Sequence, residues 1–148
     1  MIKIIDLEQN LDDRGILYEV IRTDMSFKPD LNQVYVVKDR VKGIIRAYHR
    51  HKKLVDYFHI LTGSAKFVFF KEISETTLIS KMDKKEVILD SRKPQLIIVP
   101  SGIYHGWMSL EDNTILLSVA SHCYNKDNPD EERIDPNIIP NIWTIKAK

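Results

Sequence analysis

Cysteine is almost absent from this chain, with one residue, Cys123, in 148. A single thiol makes no intramolecular disulfide, so a packed core rather than cross-links must hold the fold. Excess charge of either sign is also missing: 22 Lys plus Arg face 21 Asp plus Glu, for a formal net charge of +1. That balance gives no general attraction to nucleic acid or to an anionic membrane, and any acidic ligand must be held by local charges. No apolar run approaches the roughly 20 residues needed to cross a bilayer as a helix. The opening Met1-Ile2-Lys3-Ile4-Ile5-Asp6 has neither a long apolar core nor a small-residue cleavage site, so no leader is expected. A cytoplasmic enzyme or binding protein, with no nucleic-acid or membrane partner, is the expectation.

Long amphipathic periods of helical type are lacking too. In their place are short β-rich runs at Ile16 to Arg22, Asn32 to Lys38, Gly43 to Tyr48, Tyr57 to Leu61, Ala65 to Lys71, Thr77 to Lys81, Glu86 to Leu89, Gln95 to Val99, Gly106 to Ser109 and Thr114 to Ser121. Turn residues separate them at Asp12-Asp13-Arg14-Gly15, Thr62-Gly63-Ser64, Met82-Asp83-Lys84-Lys85, Pro100-Ser101-Gly102 and Leu110-Glu111-Asp112-Asn113. The spacing predicts an all-β sandwich, jelly roll or barrel. No repeat, low-complexity stretch or linker interrupts it, so residues 1–148 are expected to form a single domain with one core. The tail from Asn125 to Pro140, with Pro129, Pro136 and Pro140 among acidic and Asn residues, reads as irregular and placed to close one end of a barrel.

Most informative is the segment from Gly43 to Gly63, which contains His49, His51 and Asp56, answered later by Pro100-Ser101-Gly102-Ile103-Tyr104-His105-Gly106. Residues two apart on a strand share a face, so His49 and His51 point together into the space that the sheets enclose. Three imidazoles and a carboxylate match the ligand set of a divalent transition metal, and His49, His51, Asp56 and His105 leave positions open for substrate. A lone buried histidine more often just completes a hydrogen bond; the joint spacing favours a site here. His59 and His122 fall outside the pattern and read as packing or surface residues.

The glycine, histidine and aspartate spacing resembles the first cupin motif, with Asp56 where that motif usually has Glu. Pro100-x-Gly102-x-x-His105-x-x-x-Ser109 is similar to the second motif, with Pro94 in place of its first glycine and Ser109 in place of its final asparagine. The resemblance implies a cupin jelly roll, the double-stranded β-helix, with its site inside the barrel and an irregular C-terminal tail.

A second resemblance runs from Asp12 to Pro140. Asp13-Arg14-Gly15, Glu19, Gln33, Arg46-x-x-His49, the His105-Gly106 segment, Tyr124 and Asp135-Pro136 occur in the order found in dTDP-4-dehydrorhamnose 3,5-epimerases and related deoxysugar epimerases. It implies an isomerase of a nucleotide-linked 4-keto-6-deoxy sugar, acting at C3, C5 or both and used in polysaccharide or deoxysugar biosynthesis. No cofactor is required for such epimerisation: a 4-keto group acidifies the neighbouring C–H bonds, so a base removes a proton from one face and an acid returns one to the other. By this resemblance His49 is the base, Tyr124 the acid and Asp135 the partner that orients His49. Arg14 and Arg46 pair with the nucleotide diphosphate, for which guanidinium offers bidentate contacts. Glu19, Gln33 and His105 help place the substrate, and a homodimer is implied. Read without the resemblance, Tyr124 is a rim residue, Arg14 part of a solvated turn, and Trp107 and Tyr48 packing aromatics. Arg46, in an apolar run, wants a partner or a ligand.

Departures from the pattern open alternatives. The larger epimerases carry Gly and Gln where this chain has Ala47 and His51, and a lysine near the place of Asp56. A lysine favours a negative enolate, whereas an aspartate opposes it unless a cation, such as a bound divalent metal, intervenes. The run His49-Arg50-His51-Lys52 also resembles the nucleotide-sugar 3,4-ketoisomerases, and a non-catalytic cupin that senses a sugar or a metal is the alternative outside enzymes.

Overall fold

Tight turns and β-branched or aromatic runs give antiparallel strands throughout the computed structural model, which describes residues 2–71 and 83–145. In chain order the strands are β1 (Lys3–Asp6), β2 (Asn10–Asp12), β3 (Gly15–Leu17), β4 (Gln33–Asp39), β5 (Ile45–Arg50), β6 (Asp56–Thr62), β7 (Ser64–Phe70), β8 (Lys84–Asp90), β9 (Gln95–Val99), β10 (Tyr104–Ser109), β11 (Thr114–Ala120) and β12 (Glu132–Arg133). One five-stranded sheet runs β1-β9-β6-β11-β4, a second runs β12-β5-β10-β7-β8, and β2 with β3 forms a separate hairpin. This is the jelly-roll architecture that the motifs imply. No helix among the described residues is long and apolar enough to cross a membrane.

Alternation along the strands decides what each face meets. Phe58, Ile60, Ile97, Val99 and Leu116 of the first sheet face Phe67, Phe69, Leu89 and Trp107 of the second, and together they fill the interior. Intervening residues point outward and are apolar as well, so both outer faces need a cover. Tyr57, Leu96, Ile98 and Val119 lie under Tyr18, Val20, Ile21, Phe27 and Leu31. Tyr48, Val68, Phe70 and Tyr104 lie under Ile134, Ile138, Ile139, Ile142 and Trp143. Lys66, buried on that face of β7, pairs with Glu86 at 2.8 Å and donates to the carbonyls of Ile142 and Thr144, which fastens the tail.

Several sequence expectations are refined. The run Ile16 to Arg22 is a strand only as far as Leu17. Beyond it, Arg22 binds Glu19 and Asp24, and the chain turns to lay Tyr18, Val20 and Ile21 on the first sheet. The tail covers the outer face of the second sheet instead of an end of the barrel, because that face carries the aromatics that need burying. Strands β1, β2 and β12, of four, three and two residues, are too short to show a pattern. The expected strand from Thr77 to Lys81 lies outside the described residues.

Two glycines are required by geometry. Gly63, at φ +75°, makes the turn from β6 to β7, where a Cβ would sit 2.7 Å from Thr114 Oγ1. At Gly106 in β10 a Cβ would stand 2.3 Å from Ala47 Cβ and 2.9 Å from the Arg46 carbonyl, so β5 and β10 approach as closely as a bare backbone allows. Gly106→Ala is therefore expected to destabilise the fold by about 1–3 kcal/mol and to lower the melting temperature by about 4 °C or more. An unchanged thermal unfolding midpoint would show that the two strands are not so tightly opposed.

Candidate active site

Strand pairing assembles the site. His49 of β5 stands directly opposite His105 of β10, and their ring centroids are 4.1 Å apart. His51, two residues beyond His49 and just past the end of β5, lies 5.6 Å from His49 and 5.9 Å from His105, again between ring centroids. One nitrogen from each of these three rings lies within 4.8 Å of the others. The opposite sheet supplies Asp56, the first residue of β6, whose Oδ2 is 3.5 Å from His51 Nε2 and 3.4 Å from His105 Nε2. Phe58 and Trp107 form an aromatic floor against His105 and His49. Asp56 and His105 are almost wholly buried, at 2% and 1% exposure.

Backbone carbonyls decide where the ring protons lie. His51 Nδ1 is bonded to the Asp130 carbonyl, and His105 Nδ1 is 3.0 Å from the Ile103 carbonyl. A carbonyl only accepts, so Nδ1 carries the hydrogen in each ring and the neutral ring offers a lone pair at Nε2. Both lone pairs are directed at a carboxylate oxygen. Asp56 Oδ2 and His105 Nε2 are buried without a hydrogen-bond partner among the described residues. Such convergence of acceptors calls for something between them, be it a proton, a hydroxyl or a cation. Burial above all, followed by the electrostatic opposition that a proton there would meet from His105, His51 and Arg133, pushes the His49 imidazole down to about 2. His49 is therefore neutral at physiological pH and able to accept a proton.

The other sequence candidates are distributed around this cluster. Arg46 lies on β5 three residues before His49, and its guanidinium is engaged by the buried carboxylate of Asp39 at 2.8 Å. Gln33 and Tyr124 are brought together at the junction of β4 and the tail, where the Tyr124 amide donates to Gln33 Oε1 at 2.6 Å; the Tyr124 side chain is exposed. Arg14 is exposed in the β2–β3 turn and pairs with Asp12. Glu19 is exposed and pairs with Arg22 at 3.0 Å. Asp135 is exposed and caps the Asn137 amide at 2.8 Å, and no hydrogen bond or ion pair joins it to His49 among the described residues. His59 is buried outside the barrel interior, bonded to Tyr18 and to the Gln95 carbonyl, and His122 is exposed beside Ser121. Tyr48 faces outward against Phe70 and Trp143.

Three residues at or near the site escape a reading of the sequence. Tyr35 pairs with Ser118 in the β4–β11 ladder and shares a face of β4 with Gln33 and with Val37, which packs into the interior. Burial first, then the charges of Asp56 and Glu131, raise its phenol above the usual range, against a lowering by Ser118. Its spacing of two from Gln33 was the available signal. Asp39, the counter-ion of Arg46, looks like an ordinary turn residue. Asp130 reaches His51 across 79 positions of sequence, a separation without a local signature.

The chain is 30% identical over 152 aligned residues to the spore coat polysaccharide biosynthesis protein SpsL of Bacillus subtilis, covering 99% of this chain and 97% of that one. It is 28% identical over 136 residues to the probable low-salt glycan biosynthesis epimerase Agl13 of Haloferax volcanii, covering 90% and 85% of the two chains. The crystal structure of dTDP-4-dehydrorhamnose 3,5-epimerase from Bacillus anthracis, with TDP and pyrophosphate bound, superposes with a TM-score of 0.83 over 99% of this chain and 86% of that one, at 19% identity, so the fold is shared. Residues 1–132 match the family described as FdtA: WxcM-like, C-terminal, and the chain belongs to it.

Proposed function

We propose that the protein is an isomerase of nucleotide sugars, epimerising a dTDP-4-keto-6-deoxyhexose at C3, C5 or both. The observation that carries this reading is a neutral His49 held in a dry interior beside His51, His105 and Asp56. A neutral imidazole is what a base must be before it accepts a proton, and the C–H bonds beside a ketone are acidic enough to supply one. A conjugate acid of such low pKa is unstable by itself; the enolate that forms next to it offers the compensating negative charge. The proton is returned to the opposite face by a hydroxyl, for which Tyr124 is the candidate. Its ring is exposed at the tail junction, where its amide is bonded to Gln33. Arg46 and Arg14 are the candidate diphosphate contacts, each exchanging part of its present carboxylate pairing for phosphate, with Gln33, Glu19 and His105 placing the sugar; Asp135, which caps the Asn137 amide, would support His49 only if the tail moves when substrate binds. A dTDP-linked substrate puts the work in the cytoplasm.

The exposed apolar residues Val34 and Val36 on edge strand β4, with Leu11, Ile16 and Leu17 on the β2–β3 hairpin, support a homodimer in which the edge is covered by a second copy.

A divalent metal also fits the cluster. Ligand atoms about 2.1 Å from a tetrahedral ion lie about 3.4 Å from each other, close to the 3.4 and 3.5 Å between Asp56 Oδ2 and the two histidine nitrogens. His49, His51 and His105 would hold the ion with Asp56 beside the latter two, and its chemistry would be that of a Lewis acid toward a sugar carbonyl. A second reading, 3,4-ketoisomerisation, is favoured by the placement of His51 in the same cavity as His49, since moving a ketone requires protons to be handled at C3 and at C4.

Incubation with dTDP-4-keto-6-deoxyglucose in deuterated water, followed by NMR with and without chelator, separates these readings. Deuterium at C3 or C5 with the ketone retained at C4 is expected. A 3-keto product selects the ketoisomerase, exchange lost only on chelation selects the metal-assisted reaction, and no exchange in either condition counts against an enzyme. His49→Asn should lower kcat at least about 100-fold while nucleotide-sugar affinity stays within a few-fold, by calorimetry; full turnover would remove His49 as the base.

The depressed His49 pKa also makes a statement about stability. The folded protein resists protonation at this ring whereas the unfolded chain takes a proton near pH 6.5, so stability is intact above about 6.5 and declines as pH falls below it. The slope from this group approaches about 1.4 kcal/mol per pH unit. In NMR the His49 ring should not titrate between pH 8 and 5, and an ordinary midpoint near 6.5 would show that the ring is not desolvated.

A further inference from the structure

We infer that Asp130 is a positioning residue that fixes the ring of His51, so that Nδ1 carries the proton and Nε2 enters the cavity as a lone pair. The need is plain from the fold. His49 and His105 are held inside the β5–β10 ladder, but His51 lies one residue past the end of β5, at the start of the loop to β6. Asp130 supplies what the ladder does not. Its carbonyl accepts the His51 Nδ1 hydrogen, and its carboxylate accepts the next three amides, Oδ1 from Lys52 at 3.0 Å and Oδ2 from Lys53 and from Leu54 at 2.9 Å. Successive amides folded around a carboxylate form a nest that fixes the local backbone.

Asp130 is itself located by the chain that follows it. Glu132 and Arg133 pair with Arg50 and His49 as β12, Glu132 accepts from Arg50 at 2.8 Å and from Tyr104, and Ile134 exchanges backbone hydrogen bonds with Tyr48. The tail thus docks on β5 and delivers residue 130 to the loop that bears His51. With the loop clamped and Nδ1 committed to the carbonyl, His51 Nε2 is left 3.5 Å from Asp56 Oδ2. A ring free to rotate would lose both the tautomer and the distance, and displacements near 1 Å in a site of this kind cost about 100-fold in rate.

The catalytic consequence rests on the epimerase reading above; the tautomer does not, and the test separates them. Two-bond nitrogen–proton NMR on 15N-labelled wild-type protein should show His51 as the Nδ1–H tautomer, and an Nε2–H ring would overturn the inference. Asp130→Ala removes the carboxylate and leaves a backbone carbonyl that is no longer anchored. It should give a mixed His51 tautomer and a kcat lowered about 10- to 100-fold, with KM changed less than about threefold. Asp130→Asn, which keeps the shape and one accepting oxygen, should recover a substantial part of both and is read in the same way if the alanine variant folds poorly. An alanine variant with wild-type His51 signals and wild-type kcat overturns the role, as does an asparagine variant that recovers neither. Wild-type protein with the expected tautomer but no turnover on any 4-keto-6-deoxy nucleotide sugar would support the positioning and sink the enzyme reading alone.

Discussion

The contact of Gly106 with Ala47 sets the separation of β5 and β10, and through it the separation of His49 and His105. At 4.1 Å between ring centres, two imidazolium ions would repel strongly in an interior poor in water, so the pairing adds to burial in keeping His49 neutral. The aromatic floor of Phe58 and Trp107 removes the remaining solvent on one side. A backbone close enough to require glycine is thus the origin of the site's electrostatics. Asp56, arriving from the other sheet, adds a carboxylate to this dry cluster, where its Oδ2 finds lone pairs instead of donors. Groups arranged in this way are poised for whatever positive charge or proton is offered to them.

The two apolar coats make the cluster durable. A jelly roll whose strands are apolar on both faces must be wrapped, and here the wrapping is done by the chain before β4 on one side and by the tail on the other. The tail is also functional in its consequences: the same segment that buries Ile139 and Ile142 against Tyr48 and Phe70 presents Asp130 to the loop after β5. Packing on the outside of the barrel and orientation on its inside are one continuous piece of chain.

Much of this was legible in the residues. Short β-rich runs and punctuating turn residues mark the strands from β4 to β11, and the spacing of His49, His51, Asp56 and His105 anticipates that the four meet. What could not be read is whatever depends on partners distant in sequence. Arg46 was marked as needing a partner, yet nothing local identifies Asp39, and Asp130 is separated from His51 by most of the chain. The tail reads correctly as irregular, while its destination depended on which outer face carries Tyr48, Phe70 and Tyr104, a matter of strand register. Arg14, Glu19 and Asp135 lie in exposed segments where short-range ion pairs and caps satisfy them in the isolated chain, so their proposed roles depend on a substrate that brings new charge.

The central claim, that the buried His49, His51, His105 and Asp56 cluster receives the reacting sugar with His49 as base, is tested most directly by a crystal structure with a dTDP-linked 4-keto sugar or its unreactive analogue. The account predicts the hexose inside the barrel, with C3 or C5 within about 3.5 Å of a His49 nitrogen and the diphosphate at the mouth against arginine. A sugar bound outside the barrel, with the cluster closed around a fully coordinated metal ion, would contradict it.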